Sequence, residues 1–342
     1  MGTTVVLGWD GLDYELTEEY GLSDEFAPYN KSIETFNNAT TGEPATYELW
    51  PSIITGVPPA EHGIHLMSEN KSAKMFDGTK GTITGFLHRI LSDEMRIRIG
   101  LALRNRGISL NQETPEYYRR KGISTVFDGR RSRPIGIPNY RTKADQELGT
   151  VSGWGRGMAK FLDIEIQRDK ESIYYKPKVP MERFVEWLIE EANRKIGLVK
   201  LCIQRDYDLV FVWLPFLDNI GHTLPAMDPE NWQERGYMHA LEMTNEIKTE
   251  MGDDDSLVLV SDHGHQDAHH TETPYYGSTE EKALDEVESV LDVREGIDRV
   301  APRNTDTFGP DLELESRPEE KINIDISDGL EESLRESESE DE

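Results

Sequence analysis

Three runs along the chain are apolar at consecutive rather than alternate positions: Thr3 to Gly8, Tyr207 to Leu214 and Ser256 to Val260. A strand covered on both faces has this pattern, whereas a strand with one wet face alternates. Each run gives way to polar residues. Asp10-Gly11 follows the first, Pro215 and Asp218 the second, and Ser261-Asp262-His263-Gly264 the third. Between the runs the period lengthens to that of a helix: Phe184, Val185, Leu188, Ile189 and Ala192 precede the second run, and Tyr237, Leu241, Thr244 and Ile247 precede the third. A further helix is expected over Ala283 to Leu291. Strand and helix alternating in this way predict an α/β fold, a mostly parallel central sheet with helices on both faces. Ligands of such sheets bind at the C-terminal edge of the strands, so the polar run ends are expected to meet in one site.

Residues 68–180 break the rhythm and are expected to form an inserted cap, leaving 1–67 and 181–300 as the core and 301–342 as a tail. Charge sets both pieces apart. From Phe86 to Lys143 there are thirteen Lys and Arg against five Asp and Glu, in a chain of net charge -29. Arg130, Arg131 and Arg133 in this stretch are candidates for anion binding, or else pair with the acidic body. Phe86, Leu87, Ile90, Leu91 and Met95, interleaved with Arg89 and Arg96, suit a packed cap helix or one lying on anionic lipid. From Asp311 to Glu342 fourteen acids face three bases, a composition expected to stay disordered.

The overall charge argues against nucleic-acid binding and fits a protein working in concentrated salt, where screening relieves self-repulsion. The lone Cys202 excludes an intramolecular disulfide or a cysteine metal cluster. No apolar run approaches the length of a membrane span and no leader pattern follows Met1, so a soluble, cytoplasmic protein is expected. Asp10, Asp218, His222, Asp262, His263 and His270 all fall at or just beyond strand ends. Carboxylates mixed with imidazoles suit zinc or manganese, and Asp218 and His222, four apart, can share one loop.

The order of these pieces resembles the alkaline phosphatase superfamily, most closely its type I phosphodiesterase and nucleotide pyrophosphatase branch. The resemblance rests on Asp10-Gly11, on Thr46 followed by Ser52-Ile-Ile-Thr-Gly56-Val-Pro-Pro59-Ala-Glu-His62-Gly-Ile64, on Asp218 with His222, on Ser261 to Gly264, and on His270-Thr-Glu-Thr-Pro274. It runs from residue 3 to about 277 and leaves the insertion unmatched. It implies an alkaline phosphatase-like three-layer sandwich that hydrolyses phosphoesters, a diester or pyrophosphate before a monoester. Thr46 would be the nucleophile. One divalent metal would lie on Asp218, His222 and His270, and a second on Asp10, Asp262, His263 and the Thr46 oxygen, zinc before manganese. The substrate would be a small anionic phosphoester or a lipid- or sugar-linked phosphate. Phosphoryl or phosphoglycosyl transfer to another hydroxyl, or a binding protein without turnover, are the other readings.

Three positions depart from the family pattern or sit beside it. Met67 stands where nucleotide-acting members carry an Asn, His265 where relatives usually carry an apolar residue, and His269 directly precedes His270. The Thr-x-x-Pro that follows favours His270 as the ligand. His62, within the His-Gly turn, is expected to be structural. Cys202 lies outside any sulfatase signature.

Overall fold

The computed structural model describes residues 2–39, 42–65, 113–148, 150, 161–166, 173–205, 207–223, 231–266, 268–301 and 303. The strands among them are β1 (Thr4–Trp9), β2 (Tyr29–Ser32), β3 (Ser132–Ile135), β4 (Leu162–Ile166), β5 (Ile173–Pro177), β6 (Leu209–Leu214), β7 (Ser256–Val260), β8 (Gly264–Gln266), β9 (His269–Thr271) and β10 (Tyr275–Ser278).

The three apolar runs form the middle of one six-stranded sheet of order β2-β10-β7-β1-β6-β3. Thr4 of β1 pairs in parallel with Leu209 of β6 on one side and Ser256 of β7 on the other. β3 extends the parallel set beyond β6, while β10 runs antiparallel to both β7 and β2. The sheet is therefore mostly parallel, and its central strands turn every second side chain to each face. Val5, Leu7 and Trp9 of β1 join Val210, Val212 and Leu214 of β6 in one core, with the helices Met181–Ile203 and Trp232–Glu250. Val6, Phe211, Val258 and Val260 join a second core on the opposite face, beneath the helices Thr46–Thr55 and Val293–Val300. Burial on both faces is why these strands read as unbroken apolar runs. No helix among the described residues is long and apolar enough to cross a membrane.

Two boundaries differ from the sequence expectation. Ser132–Ile135, assigned there to an inserted cap, is instead an edge strand of the main sheet. Tyr118, Val126, Phe127, Ile137 and Tyr140 around it belong to the second core. Ser-Arg-Pro-Ile carries no strand periodicity, but Pro is tolerated at a sheet edge, and the pairing with β6 supplies what local preference does not. The helix expected over Ala283 to Leu291 is replaced by a 3-10 turn at Glu281–Ala283, with Glu286 at positive φ, and the helix begins only at Val293. The tail from residue 304 and the basic segment from Phe86 to Met95 lie outside the described residues.

Candidate active site

β1 lies between β6 and β7, so chain crossing over from it can go to either side, and a crevice opens at its C-terminal end. Asp10 is the first residue past β1 and Gly11 the next, at φ +81. A Cβ on Gly11 would also stand 2.8 Å from the backbone nitrogen of Asp218. Both conditions select glycine. The close approach lets Asp218 N–H donate to the Asp10 carbonyl at 3.0 Å, which ties the short helix Phe216–Gly221 beyond β6 to the end of β1. Asp262 and His263 follow β7 after the single residue Ser261. Thr46 is the first residue of the helix Thr46–Thr55, whose preceding residue Ala45 offers no side-chain cap.

His270 arrives from the β8/β9 hairpin, which is held by the fully buried Asp13. Asp13 accepts from Gln266 Nε2 and Thr273 Oγ1, both at 3.0 Å, and from the Thr271 hydroxyl. Its own N–H donates to the Tyr237 hydroxyl at 2.9 Å.

The side chains converge in two groups. His222 Nε2 and His270 Nε2 lie 3.3 and 3.4 Å from one oxygen, Oδ1, of Asp218, and 3.1 Å from each other. His263 Nε2 lies 3.2 Å from Asp10 Oδ1, 3.6 Å from Asp262 Oδ2 and 3.1 Å from Thr46 Oγ1. Partners outside the cluster select the tautomers: Nδ1–H of His270 donates to the Pro44 carbonyl at 2.8 Å, and Nδ1–H of His263 to the Gly264 carbonyl at 3.0 Å. Each Nε2 is thereby left as an inward-facing lone pair, the form in which imidazole binds a metal.

The electrostatics of this pocket are unbalanced. Burial and the charges of Asp10 and Asp218 push the Asp262 carboxyl well above the usual carboxylate range. Burial raises Asp218 too, but charge and hydrogen bonding from His222 and His270 outweigh it and hold Asp218 well below that range. Burial lowers the His263 imidazole, yet the hydrogen bond and charge of Asp10 leave it raised. Among the described residues neither carboxylate oxygen of Asp262 has a hydrogen-bond partner, and Oδ1 of Asp10 and of Asp218 faces the imidazole nitrogens named above. Buried carboxylates left so are strongly unfavourable unless cations accompany them. The donor set is that of a divalent metal centre.

A family description, type I phosphodiesterase/nucleotide pyrophosphatase, matches residues 4–311. The chain belongs to this family. It is accordingly an enzyme of the phosphoester hydrolase class and a binder of divalent metal ions. Among solved structures, the alkaline phosphatase of the Antarctic bacterium TAB5 is 9% identical, with 89% of this chain and 98% of that one covered at a TM-score of 0.40. The PsFucS1 sulfatase of Pseudoalteromonas sp. is 11% identical, with 91% and 70% covered and a TM-score of 0.40. The C-terminal periplasmic domain of EcEptC from Escherichia coli, in complex with zinc, is 11% identical, with 90% and 84% covered and a TM-score of 0.36. No curated protein matches the sequence.

In this family member Asp10, Thr46, Asp218, His222, Asp262, His263 and His270 all lie in the crevice. His269 points elsewhere, 3.5 Å from Glu43 and exposed. His62 is fully buried under the turn it belongs to, taking Ile64 N–H at Nδ1 and meeting Ser52 Oγ at 3.0 Å through Nε2. Met67 lies outside the described residues.

The structure does not bring Arg130, Arg131 and Arg133 to the crevice. They lead into β3, whose Ser132 pairs with Leu209 at the start of β6, whereas the crevice opens beyond Leu214 at its end. Arg130 is buried against Asp298, Arg131 lies 4.8 Å from the Tyr207 ring, and Arg133 is buried near Cys202. Behind Asp10 stand two residues without a sequence signal. Trp213 Nε1 donates to Asp10 Oδ2 at 2.9 Å, and the fully buried Lys195 donates to the Trp213 carbonyl at 2.6 Å.

Proposed function

We propose that the crevice hydrolyses a phosphodiester or pyrophosphate by way of a phospho-threonine at Thr46. Asp218, His222 and His270 would hold one divalent ion, and Asp10, Asp262, His263 and the Thr46 oxygen a second, zinc or manganese. The observation that carries this reading is the placement of the Thr46 hydroxyl, 3.1 Å from His263 Nε2, where partnerless buried carboxylates and lone-pair imidazoles converge. Bound divalent ions would offset the negative charge of the ester and favour the ionised hydroxyl.

The chain's own residues account for the rest. Thr46 sits at the head of its helix, so backbone N–H groups and the helix dipole favour an anionic phosphoryl group there. Thr46 Oγ1 forms a bond to phosphorus as the bond to the leaving oxygen breaks. Water then cleaves the phospho-threonine and restores the hydroxyl. Trp213 and Asp13, by holding Asp10 and the hairpin, keep the donors in place before substrate arrives, which limits reorganisation during reaction.

The substrate we infer is a small anionic phosphoester or a lipid- or sugar-linked phosphate. We place the enzyme in the cytoplasm of a salt-accumulating cell, on the strength of the net charge of -29. Acid quenching during turnover, followed by peptide mass spectrometry, tests the mechanism. Phosphate attached at Thr46 is the expected result, and attachment at another residue, or none with a substrate whose release step is slow, would replace it.

A further inference from the structure

His265 is fully buried, and among the described residues neither of its ring nitrogens has a hydrogen-bond partner. Its backbone is well held, since Gln233 Nε2 donates to its carbonyl at 2.6 Å, but nothing comparable meets the ring. Burying a neutral imidazole with both nitrogens unmet is unfavourable, so the position calls for a partner.

The hairpin register supplies a direction. His265 on β8 pairs directly opposite His270 on β9, and residues opposite one another in an antiparallel pair project from the same face. Any hairpin that delivers His270 to the crevice delivers His265 with it. The ring packs edge-on against His222, with centroids 4.7 Å apart, and against His270 at 5.3 Å. Its Nδ1 faces Gly221, where a Cβ would overlap the ring, so Nε2 is turned inward and lies 3.9 Å from Asp218 Oδ1. One donor atom from each of Asp218, His222, His265 and His270 falls within 4.8 Å of every other.

We propose that His265 is a fourth protein donor to the metal position of Asp218, His222 and His270, making it a site of three imidazoles and one carboxylate. This rests on the two-metal reading above and extends it. The two positions are then unlike in chemistry. One is nitrogen-rich and holds four protein donors; the other, with Asp10, Asp262, Thr46 and a single imidazole, is oxygen-rich. Nitrogen-rich sites favour zinc over magnesium or calcium, so zinc fills the first position preferentially while manganese competes better at the second.

The full-length chain loaded with zinc decides the matter by anomalous diffraction at the zinc edge. A His265 nitrogen about 2.0 to 2.1 Å from the ion that also binds Asp218, His222 and His270 is expected. Zinc bound by those three with both His265 nitrogens beyond about 3 Å, outside any coordination bond, overturns the proposal and leaves the two-metal reading standing. Zinc absent from those three residues overturns both. In solution, competition with a chromophoric chelator gives affinities for the wild type, His265→Gln and His265→Phe. Loss of tenfold or more at one of two sites, with the other unchanged, is expected in both variants, and affinities within twofold of wild type would overturn the proposal.

Discussion

The imidazoles of His263 and His270 stack with centroids 3.9 Å apart and planes 18° from parallel, although the two residues belong to different donor groups. Such a stack accommodates two neutral rings and disfavours two cationic ones. The two donor groups are therefore packed against one another through this pair of rings.

Replacing Thr46 with Ala removes the proposed nucleophile but only one metal donor, and it touches no core residue. Turnover of bis(p-nitrophenyl) phosphate is expected to fall by about a thousandfold or more, with metal content by emission spectroscopy and the melting temperature nearly unchanged. Activity above a tenth of wild type would remove Thr46 from this role.

Exhaustive chelation should abolish activity and lower thermal stability together, because a bound ion offsets buried carboxylates that otherwise face one another. Zinc or manganese should restore both; calcium, a poor match for imidazole, should restore less. Activity that survives chelation while the protein is shown metal-free would exclude metal-dependent catalysis.

Asp262 offers a test in which stability and metal affinity move in opposite directions. In the metal-free protein its carboxylate is buried beside Asp10 and Asp218 without a hydrogen-bond partner among the described residues. Asp262→Asn removes that repulsion, so it should raise the denaturation midpoint in EDTA while weakening metal binding at least tenfold. A fall in both quantities would mean that Asp262 is needed for folding rather than for the ion.

Lys195 gives a pH signature away from the crevice. Burial lowers its ammonium pKa to about 8 from an ordinary 10.5, although Asp145 and Glu191 pull the other way. Between those values the unfolded chain holds the extra proton, so the folded state gains stability as pH rises through that window, by up to ~3 kcal/mol from this group. Lys195→Met lacks the titration. Urea midpoints at fixed high salt should therefore improve for the wild type relative to the variant between pH 8 and 10.5, and parallel curves would show that Lys195 is not desolvated.

Asp10, Asp218 and Asp262 are legible in the sequence because each follows an apolar run that only a doubly covered strand explains, and because strand ends in a parallel sheet share an edge. β3 is not legible, since Ser-Arg-Pro-Ile owes its extended form to pairing with β6 alone. Lys195 hides for a different reason. A lysine on an amphipathic helix ordinarily lays its stem over apolar surface with its charge in water, and nothing local says that this one ends against a backbone carbonyl. Asp13 looks like an ordinary helix cap, which it also is toward Leu16 N–H. Its larger part, anchoring a hairpin from far along the chain, exists only in three dimensions. The arginines show the reverse error: a basic stretch in an acidic chain suggests a substrate wall, whereas Arg130 and Arg133 are spent on the body of the protein.

β1 is made by the ribosome before either of its neighbours in the sheet: Thr4 waits for Leu209 on one side and for Ser256 on the other. Such an apolar strand lacks its sheet partners until β6 and β7 have been synthesised. Contacts so distant in sequence close slowly, and an unpaired apolar strand invites association with other chains in the meantime. Asp10 is thus made well before its surroundings are complete, so the ion-binding crevice cannot assemble until β6 and β7 have been made. A heavily acidic chain has one advantage during that interval, because mutual repulsion between nascent copies keeps their exposed strands apart.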